Sequence, residues 1–96
     1  MTFSVKLTPS AREDIRYFRA NEQRIIADSI RTYLTRDALV ETNRRKFLEP
    51  NELAPWELRI DNYRIFYDVE RGIVNVRAVG YKDHNDLYIR GKKVDL

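Results

Sequence analysis

Residues 56–88 read WELRIDNYRIFYDVERGIVNVRAVGYKDHNDLY. Polar and apolar residues alternate through three segments of this stretch, Trp56 to Ile60, Tyr63 to Val69 and Ile73 to Val79, and a period of two marks strands with one buried face. Asp61-Asn62 and Glu70-Arg71-Gly72 separate them, and both carry residues suited to tight reversals. A two-residue loop at Asp61-Asn62 sets Ile60 against Tyr63, Leu58 against Ile65 and Trp56 against Tyr67, making one face of the pair apolar and aromatic. The same register sets Arg59 across from Arg64 on the other face, where like charges repel unless something anionic intervenes. A two-residue Arg71-Gly72 loop aligns Val69 with Val74, Tyr67 with Val76 and Ile65 with Ala78, whereas a three-residue loop would put Asn75 against Tyr67. The opposite face is then expected to show Glu57, Arg59, Arg64, Arg77 and Val79, with Phe66 as an exposed aromatic.

Upstream, Phe3, Val5 and Leu7 alternate with polar residues and predict a further strand. Thr8-Pro9 reads as an N-cap followed by proline at the first helical position, where a missing N–H is no loss. Ala11, Ile15 and Phe18 form one apolar stripe of that helix. Asn21 is placed to cap a second helix in which Ile25, Ile26, Ile30, Tyr33, Leu34 and Ala38 recur at helical steps, with Ile26 off the main stripe and open to a partner. Tyr17, Phe18 and Tyr33 are expected to pack on the sheet. Residues 39–55 hold two prolines and no clean period, so they read as a surface loop with Phe47, Leu48 and Leu53 tucked down. The segment after Gly80 is polar and reads as a loop with a short terminal element. The order βααβββ predicts an α+β domain over residues 1–96, a twisted antiparallel sheet with a two-helix hairpin on one face and the Arg59/Arg64 face left open.

Composition excludes several classes of function. The chain has no cysteine and one histidine, which rules out disulfides, cysteine nucleophiles and histidine-rich metal sites, and no cofactor is expected. No run approaches the length of a membrane span and no signal-peptide core opens the chain, so a cytoplasmic protein is expected. A net charge of +3 permits an anionic partner without requiring one. The one tight basic run is Arg44, Arg45 and Lys46.

The strand, short turn, Y-R-I-F-Y-D-V, further strand and closing V-G-Y-K-D-H-N-D-L-Y resemble the RelE/ParE superfamily of bacterial type II toxins, and the ending resembles its RelE branch. The order of elements matches along essentially the whole chain, and the specific motifs lie in residues 56–90. The resemblance implies a small toxin neutralised by a cognate antitoxin. RelE-like members cleave mRNA in the ribosomal A site without metal, and ParE-like members inhibit DNA gyrase. By position, Arg64 matches the arginine at the scissile phosphate, Lys82 a basic residue after the last strand, and Tyr88 the C-terminal tyrosine that stacks on the mRNA base; His84 matches more loosely. Glu57 and Arg59 stand where RelE has two lysines, a departure that removes a lysine base.

The chemistry can be stated without the resemblance. Attack by a ribose 2′-OH needs a base for that hydroxyl, cations on the phosphorane-like transition state and an acid for the leaving oxygen. Arg64 and Arg59 suit the phosphate, helped by Lys82, while His84 or Glu57 could act as base and the other, or Tyr88, as acid. Arg44, Arg45, Lys46, Phe66 and Arg77 are the candidate substrate-binding residues. Alternatively the arginines simply pair with Glu57, Asp61 or Asp68, and Tyr88 is a core tyrosine. The sequence therefore leaves three readings: a ribosome-dependent mRNA interferase, a gyrase-binding toxin without catalytic residues, and an inactive binding module on the same fold.

Overall fold

The computed structural model describes residues 2–96. Its elements are β1 (Ser4–Leu7), α1 (Pro9–Arg16), α2 (Ala20–Leu34), β2 (Arg45–Phe47), β3 (Trp56–Ile60), β4 (Tyr63–Glu70), β5 (Ile73–Asp83), β6 (Asp86–Ile89) and β7 (Lys92–Val94). The strands form one sheet in the order β2-β3-β4-β5-β6-β7, antiparallel throughout, and β1 joins β5 in parallel. The α+β architecture expected from the sequence is present, with this one parallel pair as an addition.

Helix α1 starts as Thr8-Pro9 dictates. The Thr8 hydroxyl accepts the Ala11 N–H at 3.1 Å and proline occupies the first turn. Helix α2 starts earlier than Asn21. Arg19 is its N-cap, and Glu22 accepts the Arg19 backbone N–H at 3.4 Å, the returning half of a capping box. The helices cover an apolar face made of Trp56, Leu58, Ile60, Ile65, Tyr67, Val74, Val76 and Val79, with Phe3, Ala11, Phe18, Ile26, Ile30 and Leu34 packed against it. Ile26 is therefore a core residue rather than a docking position, and its neighbour Ile25 is the exposed one.

The β3–β4 register is the one the alternation predicts, Arg59 opposite Arg64 included. The β4–β5 register holds at Val69↔Val74 and Tyr67↔Val76, then slips at a bulge: Phe66 pairs with Ala78 and Ile65 with Val79, leaving Arg77 as the extra residue. One extra residue inverts the alternation beyond it. Val79 turns toward the helices, Ala78 turns away, and the expected Ile65–Ala78 pairing is not formed. Phe66 is fully buried instead of exposed, in a second apolar cluster with Ala54, Ala78 and Leu87, edged by Leu48, Leu53, Ile89 and Val94.

Two segments read as loops supply that cluster. Residues 45–47 are a strand paired with Trp56–Leu58, after which Leu48 and Leu53 fold under the sheet while Phe47 stays exposed, edge-on to Trp56. The polar tail is β6 and β7, with β5 running on to Asp83. Edge strands need few apolar residues, which is why a tail this polar can still form a hairpin. The face opposite the helices is thus half covered, and the part left open lies toward Arg59, Arg64 and Lys82.

Between the β1 and β6 contacts, the edge of β5 has no strand partner and its polar groups are met individually. The Thr8 hydroxyl reaches the Arg77 carbonyl at 3.4 Å, and Asp14 Oδ2 accepts the Val79 N–H at 3.0 Å. Asp14 is 1% exposed, and its other oxygen binds Arg90 Nε at 2.7 Å.

Candidate active site

Strand pairing alone assembles the cationic face. Directly paired residues project to one side of a sheet, so Arg59, Arg64 and the residue opposite Arg64, Gly80, form a row, with Lys82 next along β5 on the same side. Gly80 is required there: a Cβ would lie 2.4 Å from the Tyr88 carbonyl oxygen and 2.9 Å from Ile89. The missing side chain is what lets β6 close against β5 beside Arg64.

Glu57 explains how two arginines can face each other. It is 4% exposed, and its Oε1 accepts from Arg59 Nε at 2.6 Å. A buried carboxylate is tolerable only when paired, and here its charge offsets part of the repulsion between the two guanidiniums. Arg64 Nη1 donates to the carbonyls of Asp61 and Tyr63 at 2.9 Å each. Its Nε is buried without a hydrogen-bond partner among the described residues. Burial pulls the Arg64 pKa below its ordinary value; Glu57 opposes this and Arg59 adds to it. A partly desolvated guanidinium that faces a second one gains from an anion, because phosphate supplies charge-assisted hydrogen bonds and offsets the repulsion.

The other candidates divide. Lys82 joins the arginine face, its Nζ making only a 3.5 Å contact with the Asn85 carbonyl. His84 sits in the β5–β6 turn at φ 58°, with its side chain 92% exposed and Nδ1 2.9 Å from Asp83 Oδ1. Tyr88 is across from Tyr81, on the helix side of the sheet, the rings stacked at 5.5 Å and 15°. It does not share a face with Arg64. Among the substrate-binding candidates, Arg77 is the bulge residue and pairs with Asp68 at 2.6 Å, and the Arg44 guanidinium lies 5.2 Å from the centre of the Tyr33 ring. Arg45 donates to the carbonyls of Val40 and Tyr33, tying the loop to α2, and Lys46 lies across from Glu57. The basic run is therefore not a solvated loop, and Arg45 is spent on structure.

Two features had no sequence reading. Asp14 falls on the apolar stripe at 11, 14, 15 and 18, and a carboxylate on a buried stripe is the signal that could have flagged its pairing. Tyr17, Tyr81 and Tyr88 form a parallel stack, Tyr17 on Tyr81 at 6.5 Å and 7°. Among the described residues no group of three His, Asp or Glu side chains is placed to hold a metal, and no helix is long and apolar enough to cross a membrane.

An open antiparallel sheet with two helices packed on one face is the RelE-like fold. In line with this, the chain is similar to a chain of the toxin–antitoxin complex RelBE2 from Mycobacterium tuberculosis, with a TM-score of 0.73 and 19% identity over 85% of this chain and 100% of that one. The sequence matches no protein-family model and no curated protein sequence.

Proposed function

We propose that this chain is the toxin of a type II toxin–antitoxin pair, cutting mRNA in the ribosomal A site without metal and held inactive by a cognate antitoxin. The observation that carries this reading is the arginine face: two guanidiniums on paired strands with Lys82 on the same side, on the fold of a chain from a toxin–antitoxin complex. Arg64 and Arg59 would hold the non-bridging oxygens of the scissile phosphate and stabilise the charge that builds as the 2′-oxygen attacks.

For proton transfer the geometry favours His84 over Glu57. A carboxylate only accepts, so Asp83 favours the tautomer with the proton on Nδ1, the one in which Nε2 is free to take a proton, on a side chain 92% exposed. Glu57 has its side chain 5% exposed and one oxygen engaged by Arg59, which suits it to holding that arginine. Tyr88, on the other side of the sheet from Arg64, would serve as a stacking ring and not in proton transfer.

Induction in a bacterial host, read by primer extension on a translated message beside a gyrase supercoiling assay, tests this. Breaks inside translated codons with normal supercoiling are expected. Inhibited supercoiling with intact message would overturn the nuclease in favour of a gyrase-binding toxin.

A further inference from the structure

Around the rim from the arginine face lies a second concavity, about 470 Å³, on the helix side of the Asp61-Asn62 turn. Its walls are aromatic. Phe18 meets Tyr63 edge-on at 5.6 Å and Tyr81 at 6.1 Å, and Tyr17 lies parallel to Tyr81. Tyr63 is fixed by its hydroxyl, which donates to Glu22 Oε2 at 2.9 Å and whose pKa is raised by burial and by that carboxylate. Tyr17 is 52% exposed and Ile25, at the mouth, 41%. Arg19 also lines the cavity, and its side chain is in no ion pair among the described residues.

Two connections join this cavity to the arginine face. Lys82 lines it while belonging to the strand row beside Arg64, and the Asp61 carbonyl that receives Arg64 Nη1 is in the turn that forms its lip. A chain whose phosphate lies on Arg64 and Lys82 therefore has this cavity as its neighbour across the turn. Aromatic walls with cations at the edge are components with which single-stranded nucleic acid is held, phosphates on the cations and bases on the rings; here Arg19 and Lys82 are the cations, and of the two carboxylates that also line the cavity, Asp61 and Glu22, the second is engaged by the Tyr63 hydroxyl. The volume suits a base with its ribose.

We propose that this cavity is a nucleobase subsite, taking the base of a nucleotide that flanks the phosphate bound at Arg64, with Tyr17 as the principal stacking ring. The subsite rests on the arginine face being a phosphate site for RNA, and it adds a second point of contact on the other side of the sheet edge. Tyr17 belongs to no motif in the sequence; it is brought to Tyr81 by the length of α1 and by the bulge that turns residues 79–81.

The test is equilibrium binding of fluorescently labelled oligoadenylate, and of an equally long abasic ribose-phosphate chain, to the purified protein. Tyr17→Ala should weaken oligoadenylate binding by about 5- to 100-fold, the range for loss of one base–aromatic stack. It should leave abasic binding unchanged, and Tyr17→Phe should bind both as wild type does. Ile25→Trp, at an exposed helical position, should occlude the mouth and reproduce the selective loss, which keeps the test decisive if Tyr17→Ala is poorly folded. Arg64→Ala should weaken both polymers and flatten the salt dependence. If Tyr17→Ala and Ile25→Trp bind oligoadenylate normally while Arg64→Ala does not, the subsite is wrong and the phosphate site stands. Equal losses on both polymers would also overturn the subsite. Normal binding by Arg64→Ala together with a selective loss in Tyr17→Ala would remove the phosphate site and overturn the cavity's place beside it, leaving a base-binding cavity that works independently of Arg64.

Discussion

Arg64→Ala is expected to abolish message cleavage in practical terms, lowering the single-turnover rate by about a hundredfold or more, the usual effect of losing one preorganised charge on a transition state. Its fold should survive, because the guanidinium contributes two hydrogen bonds to turn carbonyls at a partly exposed position and its Nε contributes none. The removed residue also relieves the repulsion from Arg59, an effect that works toward stability. Thermal unfolding close to wild type together with lost cleavage is the expected combination. A folded Arg64→Ala protein that cuts at the normal rate would remove Arg64 from the chemistry.

Asp14→Ala is expected to have the opposite profile, a large effect on stability that originates outside the cationic face. Asp14 meets two needs at once: it accepts the Val79 N–H that the sheet cannot pair, and it neutralises Arg90 in a nearly closed position. Truncation leaves a buried donor without a partner and opens a cavity beside α1. Arg90 is half exposed and can rehydrate, so the cost falls below that of a fully buried pair, at about 2–3 kcal/mol. For a domain of this size that corresponds to roughly 10–20 °C in melting temperature. Asp14→Asn keeps an acceptor and should recover part of the loss. A melting temperature unchanged in Asp14→Ala would show that the Val79 N–H is satisfied by water and that α1 is held by its apolar stripe alone.

The β3–β4 pair was legible because its alternation is unbroken and its loop is short; only one register places Trp56, Leu58 and Ile60 against Tyr67, Ile65 and Tyr63. Beyond Val76 the pattern fails to specify itself. Ala78 and Val79 are both apolar, so neither position marks a face, and the slip at Arg77 is decided by what the two sides have to pack, helix α1 on one and the Phe66 cluster on the other. That slip alone accounts for the misplacement of Phe66 and Val79. The strands β2, β6 and β7 were illegible for a different reason: they are three or four residues long and at or near the sheet edge, too short for a period to show. Ile25 and Ile26 were exchanged because adjacent isoleucines differ by only about 100° around a helix, within the width of an apolar stripe.

Of the candidate site, the apposition of Arg59 and Arg64 follows from register, whereas Lys82 comes only from the resemblance, as a basic residue after the last strand, and it is the run of β5 on to Asp83 that puts it on the face of Gly80. Glu57 was on the expected face, but nothing in its spacing shows that it is buried beneath Arg59. Motif position alone points Tyr88 at the site, and the hairpin parity puts it across from Tyr81 on the other side of the sheet. A single residue's difference in where a turn falls decides such a side, and Asp83-His84-Asn85-Asp86 gives no preference among its possible turns.

The most direct test of the central claim is single-turnover cleavage of a labelled message on ribosomes stalled with a defined codon in the A site, using purified protein and repeated with a metal-chelated sample of the protein. The account predicts one cut within that codon, a 2′,3′-cyclic or 3′-phosphate end from 2′-OH attack, the same rate after chelation and no cut with Arg64→Ala. An intact message under these conditions, or a 3′-hydroxyl product that disappears on chelation, would contradict it.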